Sequence, residues 1–280
     1  MRTIAMGAAL SLAALTVARG DDAGLTLAWA DNMLTIRGPR LPGGELKVWY
    51  LEAYCRPGST DRDWSQTVIP HKTQLVERSP DGRFLRLRCK LEDGVVVEHE
   101  IRAGRDEVDF RLVAANPTAA ESQAHWAQPC LRVASFTGVK PERDSEEYLP
   151  KCFVFIDGRP ERLPTKPWAT QARYTPGQVW CPAHVSRDDV NPRPLSPLVP
   201  SHGLIGCYSA DDQMILATAW EPYQELFQGI IVCLHADFRI GGLAPGESKR
   251  IRGKIYLVGP DLDRLFERYR KDFPEHVEPR

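Results

Sequence analysis

Apolar and polar residues alternate along much of the chain with the two-residue period of half-buried strands. From Phe84 onward, Leu85, Leu87, Cys89 and Leu91 interleave with Arg86, Arg88 and Lys90. Glu92-Asp93-Gly94 is a turn signal, after which Val95, Val97, His99 and Ile101 alternate with Glu98 and Glu100. A third run sets Val108, Phe110, Leu112 and Ala114 against Asp109 and Arg111. Three such segments joined by tight turns predict an antiparallel meander. Residues 25–29, 33–37 and 45–54 read the same way, and strands resume at 204–208, 214–220, 229–235 and 249–258. Residues 137–200 differ. In that proline-rich, charged stretch only 152–156 and 178–181 read as strands, and a connection so long is usually functional or partly disordered. One helix is predicted over 261–273, where Leu262, Leu265, Phe266, Tyr269 and Phe273 recur at helical spacing between Pro260 and Pro274. The fold class is mainly β: a large antiparallel β-sandwich forming a single domain over residues 21–280, with one C-terminal α-helix.

The N-terminus follows another rule. Arg2 supplies a positive start, residues 4–17 are almost unbroken apolar, and Ala18-Arg19-Gly20 puts small residues where a signal peptidase reads. The run is short for a bilayer span. Residues 1–20 therefore read as a cleavable signal peptide, which makes the mature protein secreted or periplasmic. No later segment is apolar enough to cross a membrane, so no membrane association is expected after cleavage.

Cleavage would lower the basic count from 36 to 34 against 37 acids, a net charge of −3. The basic residues are interleaved with acids, as in Glu142-Arg143-Asp144, and form no basic face, which argues against a nucleic-acid partner. All seven cysteines lie beyond residue 20. An oxidising compartment allows them up to three disulfides, but several occupy apolar strand positions that suit buried free thiols. No Cys-x-x-Cys or His-Glu-x-x-His spacing is present, and nothing calls for a cofactor.

Two segments carry a resemblance. Val108-Asp109-Phe110-Arg111-Leu112-Val113-Ala114-Ala115-Asn116-Pro117-Thr118 resembles the strand-then-Asn turn of galactose-mutarotase-like β-supersandwich domains. Leu243-Ala244-Pro245-Gly246-Glu247-Ser248 is similar to the Leu-x-Pro-Gly-Glu hairpin near the end of such domains. The stretch from Trp220 through His235 to Tyr256 also resembles uncharacterised secreted proteins of planctomycete-type bacteria. The likeness covers roughly residues 45–258 in order of elements. It implies a β-supersandwich and a carbohydrate partner, small sugar or polysaccharide. Mutarotases use two histidines and a carboxylate on the open face of the sandwich, and their local motifs have no residue-by-residue counterpart here.

Candidate chemistry gathers around histidines at strand ends and in the long loop, since imidazole serves as acid, base or ligand near neutral pH. His125, His184 and His235 are the candidate proton-transfer residues. Trp126 and Trp180 could stack on a sugar ring, with Gln128, Arg187, Asp188, Asp189 and Asp237 binding its hydroxyls. The plainer reading makes each histidine a hydrogen-bonded structural residue and each tryptophan a core residue. The sharper one requires His125, His184 and His235 to converge on one concave face, with Trp126 or Trp180 on its wall. Three classes stay open: a sugar epimerase, lyase or hydrolase, a noncatalytic glycan-binding module, and a metal site drawn from His125, His184, His202 or His235 with Asp188 or Cys181.

Overall fold

The computed structural model describes residues 24–140, 143, 145–175, 177–229 and 231–277. The signal-peptide reading of residues 1–20 lies outside the described residues. The strands are β1 (Thr26–Ala30), β2 (Met33–Arg37), β3 (Glu45–Cys55), β4 (Val68–Ile69), β5 (His71–Arg78), β6 (Phe84–Leu91), β7 (Val96–Ala103), β8 (Glu107–Ala115) and β9 (Trp126–Arg132). They continue as β10 (Cys152–Ile156), β11 (Arg159–Arg162), β12 (Gln178–Trp180), β13 (Pro200–Tyr208), β14 (Ile215–Glu221), β15 (Tyr223–Gly229), β16 (Cys233–Arg239) and β17 (Ser248–Val258). Two antiparallel sheets result. One runs β1-β2-β3-β9-β16-β15-β12, with β4 beside β3, and the other β11-β10-β13-β14-β17-β8-β7-β6-β5. The mainly β sandwich with one longer helix, at the C-terminus, is the architecture the alternation predicts. Two further helices, α1 (Trp64–Thr67) and α2 (Ala134–Thr137), are single turns.

Register explains the alternation. Leu85 faces Ile101, Cys89 faces Val97, and Ile101 and Val97 face Phe110 and Ala114 in turn, so one face of the β6-β7-β8 meander is apolar. That face closes on Leu34, Ile36, Val48 and Tyr50 of the other sheet in one core. His99 lies inside this core, its ring nitrogens 3.0 Å and 3.2 Å from the Tyr50 and Tyr54 hydroxyls. On the other side of the second sheet lies α3 (Leu262–Asp272), whose N-cap Asp261 accepts from the Arg264 N–H at 3.0 Å. Its Leu265 and Tyr269, with Phe273, pack on Phe153, Phe155 and Tyr256.

The two family-like segments meet in space. Asn116 is buried, and its side-chain amide donates to the carbonyls of Ala120 and Leu243 at 2.8 and 2.9 Å. The Gly246 N–H donates to the Asn116 carbonyl, and Glu247 accepts from the Ala244 N–H at 2.8 Å. Gly246 has φ +76°, which explains a glycine there. Together these segments hold two chain turns against each other.

Several strands depart from the sequence reading, and β4, β5 and β11 lie where it placed none. The strand expected over 229–235 is a hairpin: β15 ends at Gly229 and β16 begins at Cys233. Strands β9 and β15 were not anticipated, because every residue of β15 and all but the last of β9 are buried, so no two-residue contrast marks them. All seven cysteines are free and buried.

Candidate active site

The site is built on the outward face of the first sheet. Along β16, Leu234, Ala236 and Phe238 enter the core, which sends Cys233, His235 and Asp237 to the opposite side. On β9, Ala127 and Leu131 enter the core, sending Gln128, Cys130 and Arg132 outward. On β15, Leu226 points in and Glu225 and Phe227 point out. A register shift in β3 between Trp49 and Ala53 puts Tyr50 and Leu51 both in the core and delivers Glu52 to the outward face. Outward residues usually meet water. Here most of them are buried, since α1 and residues 181–196 cover this face, with Glu52 and Arg132 half-buried.

The roof is tied down at several points. Asp189 accepts from the Gly58 N–H at 3.0 Å, the Ser59 hydroxyl donates to the Val190 carbonyl, and the Thr60 hydroxyl donates to the Asp188 carbonyl at 2.6 Å. Arg187 closes the loop on itself through the Ser196 carbonyl at 2.8 Å. Beneath lies an open cavity of about 190 Å³, lined by Glu52, Gln128, Cys233 and His235, with Trp64, Tyr174, Arg193 and Phe227 as walls.

Across its floor runs a chain of titratable groups. The Asn191 N–H donates to Glu225 at 2.9 Å. The Glu225 and Asp237 carboxyls hydrogen-bond each other. Each also has an oxygen that no donor reaches, so a proton shared between them satisfies both. His235 Nδ1 lies 3.3 Å from Asp237 Oδ1, and its Nε2 lies 3.3 Å from the Cys233 sulfur. The free Cys233 and Cys130 sulfurs lie within 4.8 Å of each other, and Cys130 adjoins Glu52.

Burial shapes the whole chain. It raises Glu225 from 4.5 to about 8. It pushes the Asp237 carboxyl well up, with the charges of Glu225 and Glu52 adding to it, and raises Glu52. Burial, then the positive charges of Arg193 and Arg132, hold His235 far below its ordinary range, so the imidazole is neutral. A neutral ring fits the pattern of Nδ1–H donating to Asp237 while Nε2 accepts from Cys233. Glu225 and His235 are thus held in their neutral forms, and Asp237 and Glu52 are pushed the same way.

Of the residues the sequence singled out, His235 and Gln128 line this cavity, and Asp237 lies beneath it. Trp126 is fully buried, 6.1 Å from Trp64 between ring centroids. Trp180 belongs to the core, its indole donating to Thr165 at 3.2 Å. The three histidines are not gathered. His235 is opposite Cys130 by register, and His125 precedes β9, five residues of strand away, roughly 16 Å. There His125 Nδ1 and the Arg239 guanidinium each lie 3.5 Å from Asp189. His184 is exposed on the loop, its ring 6.0 Å from that of Tyr223. Asp188, Asp189 and Arg187 hold the roof instead of lining the floor. The imagined metal set is likewise dispersed: His202 lies against Phe155 and Phe266 on the other sheet, and Cys181 donates to the Val185 carbonyl.

A different trio could hold a soft metal ion. Donor atoms of Cys130, Cys233 and His235 lie within 4.8 Å of one another. The same two guanidiniums that depress His235 oppose a cation there, and the arrangement suits passing a proton better than holding an ion. Glu52, Glu225, Cys130, Cys233 and Arg193 were all absent from the sequence-derived site.

No protein-family model matches the chain, and no curated protein matches it. Solved structures of galactose mutarotase-like and aldose 1-epimerase proteins are similar to it. A candidate aldose 1-epimerase from Escherichia coli K12 is 11% identical over 84% of this chain and 99% of its own, with a TM-score of 0.43. A galactose mutarotase-like protein from Lactobacillus casei ATCC 334 is 8% identical over 84% and 100%, at 0.43. The Slr1438 protein of Synechocystis sp. PCC 6803 is 10% identical over 88% and 99%, at 0.46.

Proposed function

We propose that the roofed cavity binds a sugar and moves a proton on it, a reaction of the isomerase or epimerase class. One observation carries the reading: the buried chain from Glu225 through Asp237 and His235 to Glu52, facing a cavity with aromatic walls. Reversible isomerisation of a sugar needs an acid on one side of the ring and a base on the other. Glu225 and Glu52 stand on strands three spacings apart, roughly 14 Å of sheet, with His235 and Asp237 between. His235, placed between Asp237 and the cavity, and Glu52 are the members of this chain that reach a bound ring and exchange protons with it. Trp64 and Phe227 offer faces for the apolar side of the ring, and Gln128, with its unpaired Oε1, a hydrogen-bond acceptor.

The test is proton-exchange NMR on a panel of aldoses, following interconversion of anomers and solvent deuterium entering at carbon. Turnover that falls at least a hundredfold in both Glu225→Gln and His235→Gln, with sugar still bound, supports the reading. Binding without turnover in the wild type would make the protein a glycan-binding module. Export of the mature chain, cleaved after Gly20, belongs to the same proposal, and N-terminal sequencing of exported material tests it. An intact Met1 on exported protein would refute cleavage.

A further inference from the structure

We infer that the sugar is an acid sugar, its carboxylate held by the Arg193 guanidinium at the cavity wall. The inference rests on the carbohydrate reading above and adds the class of substrate.

Arg193 is unlike the arginines of the outer surface. Those pair with acids, as Arg111 does with Asp109, Arg88 with Glu98, Arg252 with Glu275 and Arg268 with Glu107. Arg193 makes no ion pair among the described residues, and its Nε is buried without a hydrogen-bond partner. Its position is nonetheless fixed. The guanidinium carbon lies 5.0 Å from the Tyr174 ring centroid and 5.4 Å from that of Phe227. Its stem passes over Gly177, where an added Cβ would meet Arg193 Cδ at 2.9 Å. A flat cation has been set in place with its buried Nε–H unspent.

Arg132 repeats the arrangement on the far side of Cys130. Its guanidinium carbon lies 5.6 Å from the Trp49 ring centroid, and its Nε too is buried without a partner. Among the described residues none of Glu52, Glu225 and Asp237 forms an ion pair with either guanidinium, and both Nε atoms stay unanswered. A neutral sugar would leave those donors unpaired in a place partly withdrawn from water. A planar carboxylate matches the guanidinium fork with two parallel hydrogen bonds, a geometry a lysine could not offer. The aromatic walls suit a carboxylate carried on a ring.

Titration calorimetry on the full chain distinguishes the possibilities, using glucuronate against glucose, galacturonate against galactose, mannuronate against mannose, and glucose 6-phosphate. The expected result is that one uronate binds at least tenfold tighter than its neutral partner, and that Arg193→Gln removes this advantage, weakening uronate binding at least tenfold more than neutral-sugar binding. Arg193→Lys, which keeps the charge and loses the fork, recovers less than half of the lost binding free energy. It serves alone if Arg193→Gln does not fold. Equal binding of uronate and neutral sugar would overturn the inference and leave the carbohydrate reading intact. Tighter binding of glucose 6-phosphate would replace carboxylate by phosphate and also overturn it. Binding of none of these sugars would remove both readings.

Discussion

Glu225→Gln gives the sharpest test of the buried acid pair, because it needs no substrate. In the unfolded chain this carboxyl ionises near 4.5, whereas burial raises it to about 8 in the folded protein. Below pH 4.5 it is protonated in both states and costs the fold nothing. Between pH 4.5 and 8 the unfolded chain loses its proton while the folded protein keeps it, so stability falls by about 1.4 kcal/mol per pH unit. At pH 7 the accumulated cost is on the order of 3 kcal/mol, a large share of the 5–15 kcal/mol that holds a typical domain together. Glutamine has nearly the same shape, still accepts from the Asn191 N–H, and cannot ionise. Urea denaturation of both proteins at pH 4.5 and pH 7 is the assay. The stability of the variant relative to wild type should rise by about 2–3 kcal/mol between the two pH values. A difference that stays flat would mean the carboxyl is ionised in the folded protein, and the proton-sharing pair would be refuted.

Three further outcomes follow from the fold. His99, held near 3 by burial with the charge of His71 adding to it, stabilises the protein above pH 6.5 and loses that contribution as pH falls toward 3. Between pH 7 and 4.5 the wild type should therefore lose about 2–3 kcal/mol more than His99→Gln, read from urea midpoints. Asp261→Ala removes the N-cap of α3 and should cost about 1 kcal/mol in the same assay. Asn116→Ala leaves the carbonyls of Ala120 and Leu243 without their donor and should cost about 2–4 kcal/mol, seen as a lowered melting temperature.

The fold was legible where burial is one-sided. In β6 the inward Leu85, Leu87 and Cys89 contrast with Arg86, Arg88 and Lys90, and the pairing with β7 follows. The α3 stripe and its Asp261 cap were legible for the same reason, a clear division between core and water. Where both faces of a strand are covered, that contrast vanishes. β9 and β15 went unread, and with them Cys130 and Glu225. His125 and His184 drew attention because histidines at loop ends are conspicuous, yet the register of β9 against β16 sets His125 well away from His235.

A signal for this buried polar face was nonetheless present in residue type. The outward positions of β6 carry arginine and lysine, which reach water easily. Those of β16 carry Cys233, His235 and Asp237, and those of β9 carry Gln128 and Cys130 before Arg132. Short polar side chains on neighbouring strands cannot extend past a covering loop, so such a face stays comfortable only if its groups bond to one another. The chain of polar groups from Glu225 to Glu52 is that solution. It also leaves Gln128, Asn191 and Arg193 each with a buried atom that nothing in the protein answers. A face built purely for stability would have been filled with leucine and valine, as the inward face of the same strands is. Polar groups buried at a cost, linked for proton transfer and left with unspent donors and acceptors beneath a tied-down roof, are what a binding site requires and what a core does not tolerate.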